Sequence, residues 1–222
     1  MKDFFCLRVL DEKSPVAQFY NMNEADLFPG NVTIQVHYSG LNFKDALAMT
    51  GKGRILKNFP LNVGIDAAGT VLQSDDARFR PGEKVLVNGC GLGETTDGGL
   101  SEILRVSGDV VVPLPDGLSL REAMILGTAG FTAALAMERM EQNGQTPSLG
   151  PILITGASGG VGSFAVQLFA QKGYEVHAVS AKPEAVSYLK KLGATSVLTP
   201  AALALGAKPL EGVRFGGAVD NV

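Results

Sequence analysis

Over residues 1–120 the apolar positions fall in short runs, several of them alternating with polar positions: "NVTIQVHYSG", "GTVLQS", "KVLVNG" and "DVVVPLP", separated by Gly, Pro, Asn and Asp. A period of two with β-branched enrichment predicts strands, and the intervening turn residues predict an antiparallel barrel or sandwich. The pattern changes in "PDGLSLREAMILGTAGFTAALAMERMEQNG", where apolar residues recur at helical spacing and Ser119 stands three residues before Glu122, as in a capping box. From Pro151 onward, strand and helix patterns alternate. Strands are expected in "PILIT", "EVHAVS", "TSVLT" and "GGAVDNV", with helices over 161–172 and 183–192 and a short helical segment near Ala201. Such a series predicts a parallel, doubly wound sheet. Two domains follow, 1–120 and 121–222, and no repeat or low-complexity tract is evident.

With 222 residues and 45% hydrophobic content, the chain has enough apolar material for buried cores. The net charge of −3 is spread over interspersed signs, so no basic stripe marks a nucleic-acid partner. No apolar run approaches the roughly 20 residues of a membrane span, and the first residues, "MKDFFCLRVLDEKS", carry acids where a secretory leader keeps an apolar core. A cytoplasmic protein is expected. Cys6 and Cys90 are too few and too distant for a metal knuckle or a disulfide framework, and read as reduced, buried small hydrophobes.

The densest chemistry lies in "ILITGASGGVGSFAVQLFAQKG", where four glycines fall between Gly156 and Gly162. The loop follows an expected strand and precedes an expected helix whose apolar stripe is Val161, Phe164, Ala165, Leu168 and Phe169. This context marks a dinucleotide fingerprint, in which backbone N–H groups at the helix N-terminus receive a pyrophosphate. Ser158, Gly159, Gly160 and Val161 are the candidate contacts: Gly159 permits close approach, and Gly162 permits tight packing of helix on strand. Ala157 stands where the usual pattern has its first glycine, and Gly156 is expected to share the turn. A purely structural glycine turn is the other reading. An NAD site commonly places an acid about 20 residues further on, at the end of the second strand. Here that strand end reads Val179-Ser180-Ala181-Lys182. A hydroxyl and a cation without a carboxylate suit a 2′-phosphate, so Ser180, Ala181 and Lys182 point to NADPH. The alternative is that Lys182 is a solvated residue ahead of the Pro183 helix start.

Several stretches in order along the chain, "GLNFKDALAMTGKG", "NFPLNVGIDAAGTV", "FRPGEKVLV", "GGLSE", "LGTAGFTA", "TGASGGVGS" and "AVSAKPEAVSYLKKLGA", resemble the medium-chain dehydrogenase/reductase superfamily. Within it the match is to the zinc-free, quinone-oxidoreductase-like branch, and "TGKGRILKNFP" points to its acrylyl-CoA reductase subgroup. The resemblance implies a fold of class β plus α/β: a GroES-like barrel domain, then an incomplete Rossmann domain, with the substrate cleft between them. It implies NADPH-dependent reduction of acryloyl-CoA to propionyl-CoA, by hydride transfer to the β-carbon of an enoyl thioester or enone. A quinone or small-enone reductase, or a catalytically silent nucleotide-binding chain, are the competing readings. No zinc is expected, because Asn42 stands where zinc-dependent relatives carry Cys, and Gly64-Ile65-Asp66 where they carry Gly-His-Glu. His37 and His177 read as structural.

By the same resemblance Asn42 and Phe43 lie at the nicotinamide end of the cleft, and Thr128 contacts that ring region. Asn42, Lys44 and Asp45 are the catalytic candidates. Lys44 is expected to support the enolate or a substrate phosphate; Asp45 has helix capping or salt bridging as its alternative. Lys52, Arg54 and Lys57 form a basic cluster suited to the phosphates of coenzyme A, or else a solvated loop. A six-stranded nucleotide domain has strand order 3-2-1-4-5-6, and "GAVDNV" is the fourth strand here. The chain therefore reads as the N-terminal part of a reductase, without the segment that carries the main contact of the family's homodimer.

Overall fold

The computed structural model describes residues 3–203, 212 and 214–222. They form two compact units, Met1–Thr128 and Ala129–Val222. The first contains β1 (Asp3–Val9), β2 (Gln18–Asn23), β3 (Val32–Tyr38), α1 (Phe43–Thr50), β4 (Leu61–Asn62), β5 (Asp66–Ser74), β6 (Lys84–Asn88), β7 (Ile103–Val106) and β8 (Val112–Pro113). All pairings are antiparallel, as the alternation predicts. One sheet has the order β7-β3-β5-β6-β8 and the other β2-β1-β4. The period-two pattern sends Val32 and Ile34 of β3, and Val85 and Val87 of β6, into one core with Val71 and Leu104. At the centre, Gly69 of β5 pairs with Val36 of β3, and a Cβ at Gly69 would lie 1.9 Å from the Gln35 carbonyl oxygen. Only a residue without a side chain lets those strands close.

The helical pattern after Ser119 becomes α2 (Leu120–Gln142), with the expected cap: the Ser119 N–H donates to Glu122 at 2.9 Å, and the Glu122 N–H donates to the Ser119 hydroxyl at 3.2 Å. The helix is not continuous. Gly127 adopts φ 50°, ψ −159°, which breaks the ladder there. A Cβ at Gly127 would approach a carboxylate oxygen of Asp66 to 2.8 Å, so the break belongs to the environment of that buried acid.

The second unit has β9 (Ile152–Ile154), α3 (Gly160–Gln171), β10 (Val176–Val179), α4 (Val186–Lys191), β11 (Ser196–Leu198) and β12 (Gly217–Val219). Its sheet is parallel throughout, with the order β11-β10-β9-β12. This is the 3-2-1-4 arrangement of a doubly wound fold. The expected helix over 183–192 is a short 3-10 turn, Pro183–Ala185, leading into α4, and the segment near Ala201 is the 3-10 turn Pro200–Leu203. The most buried face of α3 is Gly162, Ala165, Val166 and Phe169, while Val161, Phe164 and Leu168 pack at its flank. The expected stripe is thus turned: α3 is apolar on several sides, so the period specifies a helix without fixing which side lies deepest. Among the described residues, no helix is long and apolar enough to cross a membrane.

The cysteines divide. Cys6 is buried, and burial pushes its thiol up to about 11. Cys90, expected to be buried, is instead exposed in a left-handed turn at φ 53°, between Gly89 and Gly91. Alkylation of the native chain at pH 8 should modify Cys90 first, and Cys6 only on denaturation, since the thiolate is the nucleophile. Peptide mapping that finds both labelled at similar rates would contradict this placement.

Candidate active site

Two of the candidates in the first unit, Asn42 and Thr128, converge on Asp66, an acid that the sequence marks only as a non-zinc position. The Asp66 side chain is buried at the start of β5 and accepts four hydrogen bonds. They come from the Asn42 amide at 2.8 Å, the Asn88 amide at 2.7 Å, the Thr128 N–H at 3.0 Å and the Thr128 hydroxyl at 2.5 Å. The geometry follows from local structure. Asn88 is the cross-strand partner of Asp66, Asn42 is the N-cap of α1, and the break at Gly127 turns the Thr128 N–H toward the carboxylate. Asp66 thereby fixes Asn42 and Thr128 in one cluster.

Both oxygens of Asp45 are engaged with the backbone. One of its oxygens accepts the Asn42 N–H at 2.7 Å and the other the Ile65 N–H at 3.0 Å, with the residue 1% exposed. It caps α1 and ties the helix start to the strand ahead of Asp66, the capping alternative. Burial raises its carboxyl above the usual carboxylate range, against the two backbone N–H groups, which pull the other way. Lys44 forms an ion pair with Glu94, and Phe43 is 79% exposed, so neither joins the Asp66 cluster. Asn88 is the other member missed from sequence; a lone Asn ending a strand carries no signal of its own.

In the second unit, Gly156 supplies the left-handed turn at φ 53° and Ala157 is fully buried, so the turn glycine stands one place before the usual position. Gly159 is the N-cap of α3, and its N–H donates to the Gly156 carbonyl at 2.9 Å. A Cβ at Gly162 would lie 2.3 Å from the Gly156 oxygen and 2.7 Å from the Ala157 Cα, which is the tight helix-on-turn packing expected of it. At Gly159 the nearest atom to such a Cβ is the Gly156 oxygen at 3.2 Å, and at Gly160 the Ala129 Cβ at 3.2 Å. These two positions border open space beside the first-turn amides of α3, which lack intrahelical partners. A pyrophosphate fits that cradle.

At the end of β10, the Ser180 hydroxyl lies 3.3 Å from that of Ser158 and accepts the Lys182 N–H at 3.1 Å. Ser158, Ser180 and Lys182 are therefore neighbours, with Ser180 buried and Ala181 and Lys182 exposed. Beyond β12, Asn221 donates from its backbone to the Thr155 hydroxyl at 2.9 Å and from its amide to the Thr155 carbonyl at 3.0 Å, closing the other side of the turn. Among the described residues, no three His, Cys, Asp or Glu side chains are grouped to hold a metal.

Residues 28–116 match the alcohol dehydrogenase GroES-like domain, and residues 152–203 match the NAD dependent epimerase/dehydratase family. The chain is 51% identical over 207 residues to the probable acrylyl-CoA reductase AcuI of Escherichia coli K12, covering 93% of this chain and 64% of that protein. It is 50% identical over 198 residues to the putative quinone oxidoreductase YhfP of Bacillus subtilis, covering 89% of this chain and 60% of that one. The crystal structure of the yhdH oxidoreductase from Salmonella enterica in complex with NADP superposes with a TM-score of 0.93 at 48% identity, covering all of this chain and 68% of that chain. The chain belongs to the medium-chain dehydrogenase/reductase family. It spans less than two thirds of the length of the curated relatives it matches. Asn42, which the resemblance sets at a zinc-ligand position, donates its amide to Asp66.

Proposed function

We propose that this chain is part of an NADPH-dependent reductase of activated carbon–carbon double bonds, with acryloyl-CoA as substrate and propionyl-CoA as product. The observation that carries the reading is the hydroxyl pair Ser158 and Ser180 beside Lys182 at the end of β10, with no acid at that strand end, next to the first-turn amides of α3. Bound NADPH supplies a hydride for the β-carbon of the enoyl thioester. The protein's part is to hold the groups around that transfer. Ser158, Gly159, Gly160 and Val161 receive the pyrophosphate; Ser180, Ala181 and Lys182 receive the ribose 2′-phosphate. Asn42 and Thr128, both fixed by Asp66, and Phe43 are the proposed contacts at the reacting end. As the hydride arrives, negative charge moves to the thioester oxygen, and Lys44 is the proposed cation for it, released from Glu94 on substrate binding. A proton from water then adds to the α-carbon, leaving hydroxide to solvent, which balances the reduction. Asp45 is left out of this scheme because both of its oxygens hold backbone N–H groups.

The name of the Bacillus relative favours a second reading, reduction of a quinone. Steady-state oxidation of NADPH with acryloyl-CoA and with a quinone separates the two. Turnover of neither, with NADPH still bound, would leave a nucleotide-binding chain without this activity.

Cofactor choice gives a sharper test. Lys182 is exposed, so its pairing with a phosphate is worth about 1 kcal/mol, close to fivefold in affinity. Lys182→Ala should weaken NADPH by that factor and spare NADH. Ser180→Asp should go further, setting a carboxylate against the 2′-phosphate and beside the 2′-hydroxyl of NADH. Equal losses of both cofactors on Lys182→Ala, in a fluorescence titration, would place the phosphate elsewhere.

A further inference from the structure

The basic cluster of the sequence resolves into two pocket residues and one outlier. Arg54 and Lys57 line a cavity of about 450 Å³ in the first unit, and Lys52 is not among its lining residues. Pro15, Leu56 and Phe59 supply its apolar wall, and Glu12 adds one carboxylate. The cavity is fastened on several sides. Gly51 ends α1 in a left-handed conformation, and a Cβ there would lie 2.5 Å from the Pro15 ring. The Ala17 N–H donates to the Met49 carbonyl at 2.9 Å, and the Lys57 N–H donates to the Glu94 carbonyl at 2.7 Å. Among the described residues, none of Arg54, Lys57 and Glu12 has an ion-pair partner. Two unneutralised cations, one unneutralised acid and an aromatic face thus share a volume within the range of small-molecule sites.

We infer that this cavity is a binding site for a phosphorylated adenosine, the 3′-phosphoadenosine end of a coenzyme A thioester. The chemistry matches group by group. A guanidinium takes a phosphate by two parallel hydrogen bonds, and an ammonium adds a point charge beside it. The exocyclic amine of adenine is a donor for Glu12, which a bare anion would not satisfy. Phe59 and Leu56 offer the ring an apolar surface. The volume suits one end of coenzyme A and not the whole molecule, so the acyl end lies outside it. The inference rests on the thioester reading above and names the part of the chain that recognises the carrier.

NADPH also contains a phosphorylated adenosine, at the 2′ position, so the test has two arms. Calorimetric titration of the chain with adenosine 3′,5′-bisphosphate should show binding that Arg54→Ala/Lys57→Ala weakens by about tenfold or more, the scale of charge-assisted hydrogen bonds. Titration with adenosine 2′,5′-bisphosphate should be unchanged by the double variant, and an unchanged urea midpoint shows that its first unit is folded. Lys84→Ala, on β6 and away from the cavity, controls for general loss of positive charge. No binding of the 3′,5′ compound, an equal loss in Lys84→Ala, or a loss confined to the 2′,5′ compound would each overturn the site. Reduction of acryloyl-CoA with KM unchanged in the double variant would overturn the site and leave the reductase reading standing. Binding of the 3′,5′ compound that depends on Arg54 and Lys57, without reduction of any thioester, would support the site and sink the reductase reading.

Discussion

Replacing Asp97 with alanine is expected to destabilise the first unit by about 3–5 kcal/mol, the range for breaking a buried ion pair from one side. Asp97 is 1% and Arg8 7% exposed, with the guanidinium 2.9 Å from the carboxylate. The acid also accepts the Asn62 N–H at 3.0 Å and the Phe28 N–H at 3.1 Å. Arg8 in turn donates to the Asn62 side chain at 2.6 Å and the Pro60 carbonyl at 3.3 Å. Alanine at 97 would leave a buried cation with neutral acceptors only and strip two backbone donors of their partner. The double replacement Arg8→Met/Asp97→Leu should cost less than Asp97→Ala alone, because no charge is then left uncompensated. Urea midpoints at unchanged slope would measure both. A loss under about 1 kcal/mol for Asp97→Ala would place this pair among exposed ones in energetic terms.

Gly162→Ala should abolish measurable dinucleotide binding and lower stability by about 1–3 kcal/mol, as inserted methyl groups do in filled interiors. The added carbon would stand 2.3 Å from the Gly156 oxygen, so the turn and the N-terminus of α3 have to separate. Those are the elements whose amides form the anion cradle. Gly159→Ala is the contrasting change. Its methyl would meet one backbone atom at 3.2 Å and otherwise enter open space, so folding should be nearly unaffected. Its binding should nevertheless fall, because the methyl occupies the approach of the pyrophosphate. Thermal unfolding and cofactor titration on the same samples separate the two cases. Wild-type affinity in Gly159→Ala would mean that the ligand does not come close to this residue.

Elements whose signal is local were legible in the sequence. The strand alternation, the Ser119–Glu122 cap, the strand–loop–helix context of the glycines and the 3-2-1-4 sheet all rest on spacing within a few dozen residues. What escaped reading depends on distant partners. Asp66 is one acid in an apolar strand, and its importance lies in Asn42, Asn88 and Thr128, which arrive from three other segments. The break at Gly127 lies inside an unbroken helical pattern, since the period of apolar residues records burial and not the continuity of the hydrogen-bond ladder. Asp45 shows the same limit from the other side. The residue type suits proton transfer, and only the placement of the Asn42 and Ile65 N–H groups assigns both of its oxygens to the backbone. Cys90 departs from expectation because the glycines around it turn the chain outward, a local backbone effect that outweighs the usual preference of cysteine for interiors.

The Asp66 cluster also has an order of assembly. Its partners lie 24, 22 and 62 residues away along the chain, on both sides of β5. The Asn88 contact forms as β5 and β6 zip together, because those two residues face each other in the register. Closing the Thr128 loop carries about 0.9 kcal/mol more entropic cost than closing the Asn88 loop, from the logarithmic dependence on loop length. Contacts of such long sequence separation are the slow ones in refolding. Within the cluster, a refolding chain therefore makes the Asn88 contact before the Thr128 contact. In a stopped-flow experiment, recovery of ligand binding would lag behind the pairing of β5 with β6, and the interval would time the arrival of Thr128.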